Sequence, residues 1–440
     1  MLTFLAFSMV IAFMALIMTK RLSPLIALIL VPIAFGIVGG FARGLGAMML
    51  DGIRNLAPTG VMLMFAILYF GIMIDAGLFE PFVQRIVRLV RGDPMKIVVG
   101  TAVLALLVSL DGDGSTTYMI TTAAMLPLYR RLGIRPIILA CVTMLAGGVM
   151  NILPWGGPTA RAASALGIDA SQIFVPMIPA MIAGTVWVLF VARFLGIRER
   201  RRLAVPGSHD LPETEEIEPE PESAPAPDDV KRPHLSWFNA LLTTALMVAL
   251  LTAVLPLPVL FMVAAAIAMT ANYPSLAEQK ARLNAHAGNI LSVVGLIFAA
   301  GIFTGILSGT KMVDAMASSV VHLVPPAFGP YLAVVTAVLS IPFTFFISND
   351  AFYFGVLPIL AKAGAAYGIT AAEMGRAAVV GQPVHLLSPL VPSTYLLVGL
   401  VEVDLGDHQR FTLTWAMGSA LVLLLTALLL VVIPFARYAP

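Results

Sequence analysis

Long stretches of this chain carry no charge, and that feature limits its fold more than any other. No Asp, Glu, Lys or Arg occurs from Pro136 to Ala160, and the 440-residue sequence is 59% hydrophobic and 11% charged. Soluble domains carry about 25% charged residues, whereas about 20 apolar helical residues cross a bilayer. Backbone groups inside lipid must bond within their own segment, which helices achieve. The sequence therefore predicts an all-α polytopic membrane protein.

Charge and cysteine content exclude other classes of protein. The formal net charge is +2 at pH 7 with scattered Lys and Arg, so we expect no nucleic-acid partner. Cys141 is the one cysteine of the sequence, which excludes an intrachain disulfide and favours a packing role. Asp75 and Glu80 follow an apolar run, and we expect them to be solvated charges at the cytoplasmic surface.

An acidic, glycine-rich stretch at residues 108–118 separates two apolar runs and contains Asp111 and Asp113. A charged Asp near the bilayer centre costs about 2.5–3.5 kcal/mol, so such acids usually face a cavity, an ion path or a partner. The preceding run, residues 97–110, is too short to cross a bilayer, and both flanks of the stretch are basic. These features predict a re-entrant hairpin with its tip near residues 111–117.

A second irregular stretch follows near residues 151–161. Its string NILPWGGPTAR places two prolines and two glycines within five residues. Because proline interrupts helical hydrogen bonding, a broken transmembrane helix is predicted, whose half-helix ends suit ion and anion binding. A simple proline kink is the alternative, and the polar Asn151, Thr159 and Arg161 argue against it.

Residues 203–235 have a different composition from the rest of the chain. They are rich in Glu, Asp and Pro and poor in apolar residues, which is typical of an extended, disordered linker. Basic residues directly precede the linker, so we expect it to lie in the cytoplasm. It divides the chain into a first transmembrane repeat, residues 1–202, and a second, residues 236–440.

The second repeat contains the same irregular elements with an offset of roughly 235 residues. A second hairpin tip is predicted near residues 348–351, where Asp350 corresponds to Asp113, and a second broken helix near residues 385–394. An odd number of crossings in each half gives the two repeats opposite orientation. Inverted repeats with paired broken elements are typical of secondary transporters that bind substrate near the midplane.

Three strings carry a resemblance to a known family. LDGDGSTTY, MNILPWGGPTARAA and HLLSPLVPSTYLLVG resemble those of the citrate–divalent-metal:proton symporters, the CitMHS family of the ion transporter superfamily. The resemblance spans nearly the whole chain except the acidic linker, and it implies proton-driven uptake of citrate as a divalent-metal complex. Sodium symporters of this superfamily carry Ser-Asn-Thr at both tips, which this chain lacks. Sodium- or proton-coupled transport of another carboxylate or oxyanion is the alternative.

The resemblance also implies two half-sites, one from each repeat. The substrate-binding residues would be Ser115, Thr116, Asn151, Gly156, Gly157, Thr159 and Arg161 in the first, and Ser348, Asn349, Ser388, Ser393 and Thr394 in the second. The ion-coupling residues would be Asp111, Asp113, Asp350 and His385, with Asp113 and Asp350 also ligands of the substrate-bound cation.

Two of these residues have alternative roles. Arg161 pairs either with a substrate carboxylate or with Asp111 or Asp169. His385 either titrates near neutral pH or is a neutral histidine hydrogen-bonded in the break.

The balance of charge favours a metal complex over free citrate. Citrate carries about three negative charges at neutral pH, and a site for the free anion would need several cations to offset them. The tips and breaks instead offer acidic residues against Arg161. We therefore expect a co-transported cation such as Mg²⁺ or Ca²⁺ and no permanently bound cofactor.

The sequence and its family resemblance also indicate further partners and the class of activity. We expect protons, citrate or a related carboxylate, membrane lipids and a second copy of the chain in a homodimer, in a bacterial inner membrane. An intramembrane aspartyl protease would also place two aspartates in one cavity, but its usual Gly-X-Gly-Asp order is absent. The sequence therefore predicts a transporter rather than an enzyme.

Overall fold

The computed structural model describes residues 2–90, 92–112, 114–204, 230–252, 254–323 and 327–437, and these residues form helices joined by turns, without a strand. The helices of the first repeat are α1 Leu2–Met18, α2 Pro24–Val38, α3 Leu45–Asp75, α4 Glu80–Leu89, α5 Pro94–Val108, α6 Gly114–Arg131, α7 Pro136–Met150, α8 Gly157–Leu166 and α9 Ser171–Leu203. Those of the second are α10 Ser236–Leu251, α11 Leu257–Asn272, α12 Leu276–Gly309, α13 Met312–Leu323, α14 Leu332–Phe346, α15 Leu357–Ala365, α16 Ala371–Ala378, α17 Gln382–His385, α18 Pro392–Val401 and α19 Leu405–Leu429. Short 3₁₀ turns occur at Ser109–Asp111, Pro233–Leu235 and Gly329–Tyr331, and a π-helical segment at Ala351–Val356.

Seven segments of the described chain are long and apolar enough to span a membrane. The predicted class, an all-α polytopic membrane protein, is confirmed. The apolar runs at residues 57–76 and 288–308 predict crossings, yet α3 has 31 residues and α12 has 34. Each helix continues beyond its apolar run through charged residues. Hydropathy identifies only the part of a helix that suits lipid, so it does not indicate where the helix begins or ends.

Helices α3 and α12 pack against each other in an antiparallel arrangement. Near the start of α3, Gly52 packs so closely against the backbone of Gly301 that a side chain at Gly52 would clash. At the other end, Asp75 accepts bonds from Arg282 at 3.1 Å and His286 at 2.8 Å. The prediction of a solvated Asp75 is therefore wrong, because its side chain is 14% exposed and joins two helices.

The predicted linker ends earlier in the chain than its composition indicates. Residues 205–229 lie outside the described residues, but the chain is described again from Val230. Arg232 donates to the carbonyl of Asn272 at 2.9 Å and pairs with Glu278 at 2.7 Å. The tail of the predicted linker is thus held against α11 and α12 by Arg232.

The two hairpins and the two broken helices converge. Helices α5 and α6 form the first hairpin, and α6 packs against α18 of the second broken helix. The second hairpin, formed by α14 and α15 with the π-helical segment, packs against α8 of the first broken helix. Helices α7 and α17 also contact each other. Each hairpin therefore meets the broken helix of the other half.

Candidate functional site

The first hairpin tip is closed by a left-handed glycine and held by a tryptophan. The chain turns at Gly112, where φ is +79°. Trp155, in the first break, donates its indole N–H to the carbonyl of Leu110 at 2.9 Å. Asp111 is buried at 8% exposure beside this turn. Asp113 lies outside the described residues, so its roles in ion coupling and cation binding stay predictions.

The helices are interrupted at residues 151–156 and 386–391, and a threonine bridges each interruption. Helix α7 ends at Met150 and α8 begins at Gly157. The Thr159 hydroxyl donates to the carbonyl of Ile152 at 2.9 Å, and the Thr394 hydroxyl donates to the carbonyl of Leu386 at 2.5 Å. Both threonines are fully buried. These bonds satisfy backbone acceptors that the interrupted helices leave open.

The second broken helix has an additional interruption that the sequence pattern does not predict. Helix α16 ends at Ala378 and is separated by a short turn from the four-residue α17, which is in turn separated from α18 by residues 386–391. Between α17 and α18, the Ser388 hydroxyl donates to the carbonyl of Phe345 at 2.6 Å. Ser388 therefore ties the broken helix to the second hairpin, and its predicted role in substrate binding stays a prediction.

Arg161 and Asp350 join the two halves of the site. The Nε atom of Arg161 donates to Oδ1 of Asp350 at 2.6 Å, with side chains 23% and 13% exposed. The structure thus gives Arg161 a partner in the other half, rather than Asp111 or Asp169. A Cβ on Gly157 would lie 2.6 Å from Nη1 of Arg161, so this glycine leaves room for the guanidinium. Within the described residues, the terminal nitrogens of Arg161 bond to no protein atom.

A line of amides and a phenol runs between the breaks and the second hairpin. Asn151 donates from Nδ2 to Oε1 of Gln382 at 3.0 Å. Gln382 donates from Nε2 to the Tyr353 hydroxyl at 2.8 Å and to Oδ1 of Asn349 at 3.4 Å. Both Gln382 and Tyr353 are fully buried. Because Asn349 is next to Asp350, this line extends the polar connection from Arg161 to Asn151.

His385 is fixed by a backbone acceptor. Its Nδ1 lies 2.6 Å from the carbonyl of Thr344, so Nδ1 carries the hydrogen of that bond. The imidazole is 6% exposed. The geometry agrees with the hydrogen-bonded alternative, and a role for His385 in ion coupling stays a prediction.

A cavity of about 120 Å³ lies where the first hairpin meets both breaks. It is lined by Ser109, Gly112, Gly114, Thr117, Gly147, Met150, Asn151, Leu386 and Ser393. Asn151 and Ser393 are predicted substrate residues, one from each half. Ser115 and Thr116 lie on α6 between two lining residues, and Ser348 accepts from the backbone N–H of Ala351 at 3.2 Å. The cavity is smaller than the pockets of about 300–1,000 Å³ that hold drug-sized ligands.

Comparison with known proteins identifies the family. The model of the CitMHS family, described as "Citrate transporter", matches residues 13–381. The chain belongs to this citrate transporter family. The transporter is 62% identical over 435 residues to a Bacillus subtilis (strain 168) protein named "Citrate transporter", covering 99% of this chain and 100% of the relative. It is 53% identical to a second protein of that organism, named "Mg(2+)/citrate complex secondary transporter", covering 98% of each.

Solved structures support the fold of the transporter. The Alcanivorax borkumensis YdaH transporter aligns with a TM-score of 0.62 at 15% identity, covering 90% of each chain. Neisseria gonorrhoeae MtrF, described among antimetabolite efflux pumps, aligns with a TM-score of 0.62 at 12% identity, covering 92% of this chain and 87% of that one. At this identity the likeness concerns the fold alone.

Family membership confirms that the chain is a transporter rather than an enzyme, so the protease alternative is wrong.

Three residues that contribute to the site were not predicted to do so. Gln382 precedes the predicted break, Tyr353 lies between Phe352 and Phe354 beyond the predicted second tip, and Trp155 belongs to the string of the first break. A glutamine in an otherwise apolar stretch is a signal that was available for Gln382, since a buried amide needs partners. The roles of Tyr353 and Trp155 depend on contacts with distant segments, which no local pattern reveals.

Proposed function

We propose that this transporter takes up citrate as a complex with a divalent cation, in symport with protons. The balance of charge carries the proposal. Among the described residues of the hairpin tips and breaks, the carboxylates of Asp111 and Asp350 stand against the single guanidinium of Arg161. An uncompensated buried charge is expensive, so free citrate, with about three negative charges, fits this site poorly. A divalent cation reduces that charge to about minus one and supplies a partner for oxygen ligands.

In this proposal Arg161 holds one citrate carboxylate. Its Nε is bound to Asp350, and its terminal nitrogens remain for a planar anion. Asp113 and Asp350 bind the cation or carry the proton, with Asp111 and His385 as further ion-coupling residues. Once the cation has left, protonation of the carboxylates that Arg161 does not balance lets the empty site return across the membrane without an uncompensated charge.

The names of the relatives support the same substrate. A protein 53% identical to this chain is named for a Mg²⁺/citrate complex, and one 62% identical is named for citrate. We extend the substrate class of those proteins to this one. We further propose that residues 1–202 and 236–440 form inverted repeats, that the chain forms a homodimer, and that it resides in a bacterial inner membrane.

Uptake of labelled citrate into proteoliposomes tests the proposal. Purified transporter should accumulate citrate only when Mg²⁺, Ca²⁺ or a similar ion is present, with metal and citrate entering together. An inward proton gradient should accelerate both, and an inward sodium gradient should not. Undiminished uptake into chelator-treated, metal-free vesicles would show that the free anion is the substrate instead. Acceleration by sodium alone would replace the proton as the coupling ion.

A further inference from the structure

We infer that Gln382 and Tyr353 fix the orientation of the Asn151 side chain, so that its amide oxygen forms part of the subsite for the cation of the metal–citrate complex. The inference rests on the proposed function and adds to it the atom that meets the metal. It comes from the direction of each hydrogen bond in the line that ends at Asn151.

A backbone carbonyl sets the direction of the whole line. The carbonyl of Ala378 can only accept, so the Tyr353 hydroxyl, 3.3 Å away, donates its hydrogen to it. The Tyr353 oxygen must then accept from Gln382, which places Nε2 of Gln382 at the 2.8 Å contact. The opposite side of the same amide, Oε1, therefore faces Asn151.

Asn151 has only one orientation that satisfies this arrangement. Since Oε1 of Gln382 is an acceptor, Asn151 must present its Nδ2 donor at 3.0 Å. Its Oδ1 is then the atom left for a ligand, and within the described residues that oxygen has no bonding partner. By the same logic Asn349 accepts from Gln382 through Oδ1, which leaves the Asn349 amino group as a donor.

The atoms around the cavity suit a hard cation. Asn151 lines the 120 Å³ cavity together with the hydroxyl residues Ser109, Thr117 and Ser393. Carbonyl and hydroxyl oxygens are ligands for Mg²⁺ and Ca²⁺, whereas an amino group facing the cavity would repel them. The amide of Asn151 thus presents oxygen toward the cation, and the amide of Asn349 presents N–H groups suited to a carboxylate.

Metal preference in proteoliposomes tests the role of Asn151. For wild type and Asn151→His, kcat/KM of labelled citrate uptake is measured with Mg²⁺ and with Ni²⁺, and the ratio of the two values is compared. An imidazole nitrogen favours Ni²⁺ over Mg²⁺, so the ratio should shift toward Ni²⁺ by about tenfold or more. A ratio of rates does not depend on the amount of transporter in the vesicles.

Removing the support of Asn151 tests the positioning role without changing a cation ligand. Gln382→Met leaves the Asn151 amide free to turn. The KM for Mg²⁺–citrate should therefore rise about tenfold, and the ratio of kcat/KM with Mg²⁺ to kcat/KM with Ni²⁺ should fall. Tyr353→Phe should change both quantities in the same direction by about threefold. Tyr395→Phe is the matched control, since the Tyr395 hydroxyl bonds to the carbonyl of Pro389 outside this line, and it should match wild type.

The outcomes separate the inference from the proposed function. Metal-dependent uptake by wild type with an unaltered Mg²⁺ to Ni²⁺ ratio in Gln382→Met and Tyr353→Phe would overturn the inference alone. These two variants decide the matter if Asn151→His fails to fold. Metal-independent uptake by wild type would overturn the proposed function and the cation subsite together.

Discussion

Arg161 Nε lies 2.6 Å from Asp350 Oδ1, which joins the helix after the first break to the tip of the second hairpin. The two residues are 189 positions apart and belong to opposite halves of the chain. Each neutralises the other, so this part of the site carries no net charge. A guanidinium has five N–H donors in a planar fork, and this contact occupies one of them. The pair can therefore remain intact while the other donors bind a carboxylate.

The first prediction concerns the geometry of that guanidinium. Arg161→Lys keeps the charge but replaces the planar fork with a compact ammonium group, which cannot offer two parallel N–H donors to a carboxylate while it also bonds to Asp350. We expect KM for metal–citrate to rise about tenfold or more, measured as initial uptake into proteoliposomes. Arg54→Lys is the control, because Arg54 pairs with Asp51 on the surface with 68% of its side chain exposed. Equal KM values for Arg161→Lys and wild type would remove Arg161 from the binding site.

The second prediction concerns the acids at the two tips. Asp113→Asn and Asp350→Asn keep the size of the side chain and remove its capacity to carry a proton or offset a cation. Each variant should insert normally and lose uptake driven by a proton gradient. Asp51→Asn removes an exposed acid and should behave as wild type. Normal proton-driven uptake by both tip variants would return these aspartates to a structural role.

The irregular elements were predictable because their cause is local. Proline and glycine interrupt a helix wherever they cluster, so the break after Met150 follows directly from residues 154–158. The apolar run before Asp111 was underestimated: from Pro94 through the 3₁₀ turn that ends at Asp111 the segment has 18 residues and is long and apolar enough to span a membrane, so the re-entrant course of the hairpin stays a prediction. Hydropathy does not indicate where a helix ends outside the lipid. The apolar runs therefore predict shorter helices than α3 and α12 are.

The partners across the site were not predictable from local pattern. The sequence offers Asp111 and Asp169 as partners for Arg161, whereas packing of α8 on the second hairpin brings Asp350 to it. Asn151 and Gln382 are 231 residues apart, and their contact depends on how α7 meets α17. A single sequence contains no measure of such distances, so it does not reveal which side chains contact each other across the two halves.

The third prediction concerns the orientation of the two repeats. A cysteine at Arg131 and a cysteine at Lys362, each introduced into a Cys141→Ala background, should react with a membrane-impermeant thiol reagent from opposite faces. Both positions are exposed at helix ends after a hairpin, and the buried Cys141 is removed so that only the new thiol reacts. The antiparallel packing of α3 and α12 is the arrangement that inverted repeats require. Labelling of both positions from one face would refute the inverted relation.

The fourth prediction concerns the closure of the first hairpin tip. Gly112 has φ +79°, and a Cβ there would lie 2.7 Å from Cδ1 of Trp155. Gly112→Ala must therefore bear left-handed strain of about 1–2 kcal/mol and also displace the ring that holds the tip. Gly40→Ala is the matched control, because Gly40 has φ +85° with nothing within 4 Å of the added Cβ and bears the strain alone.

The two glycine variants are compared by thermal unfolding in detergent and by citrate uptake. Gly112→Ala should lower the Tm further than Gly40→Ala and reduce uptake, whereas Gly40→Ala should retain uptake near the wild-type rate. Trp155→Phe keeps an aromatic ring against Phe70 and Phe261 but loses the indole bond to Leu110, so uptake should fall with a smaller change in Tm. If all three variants transport citrate equally, the indole does not hold the tip in its working position, and the turn at Gly112 is fixed by the backbone alone.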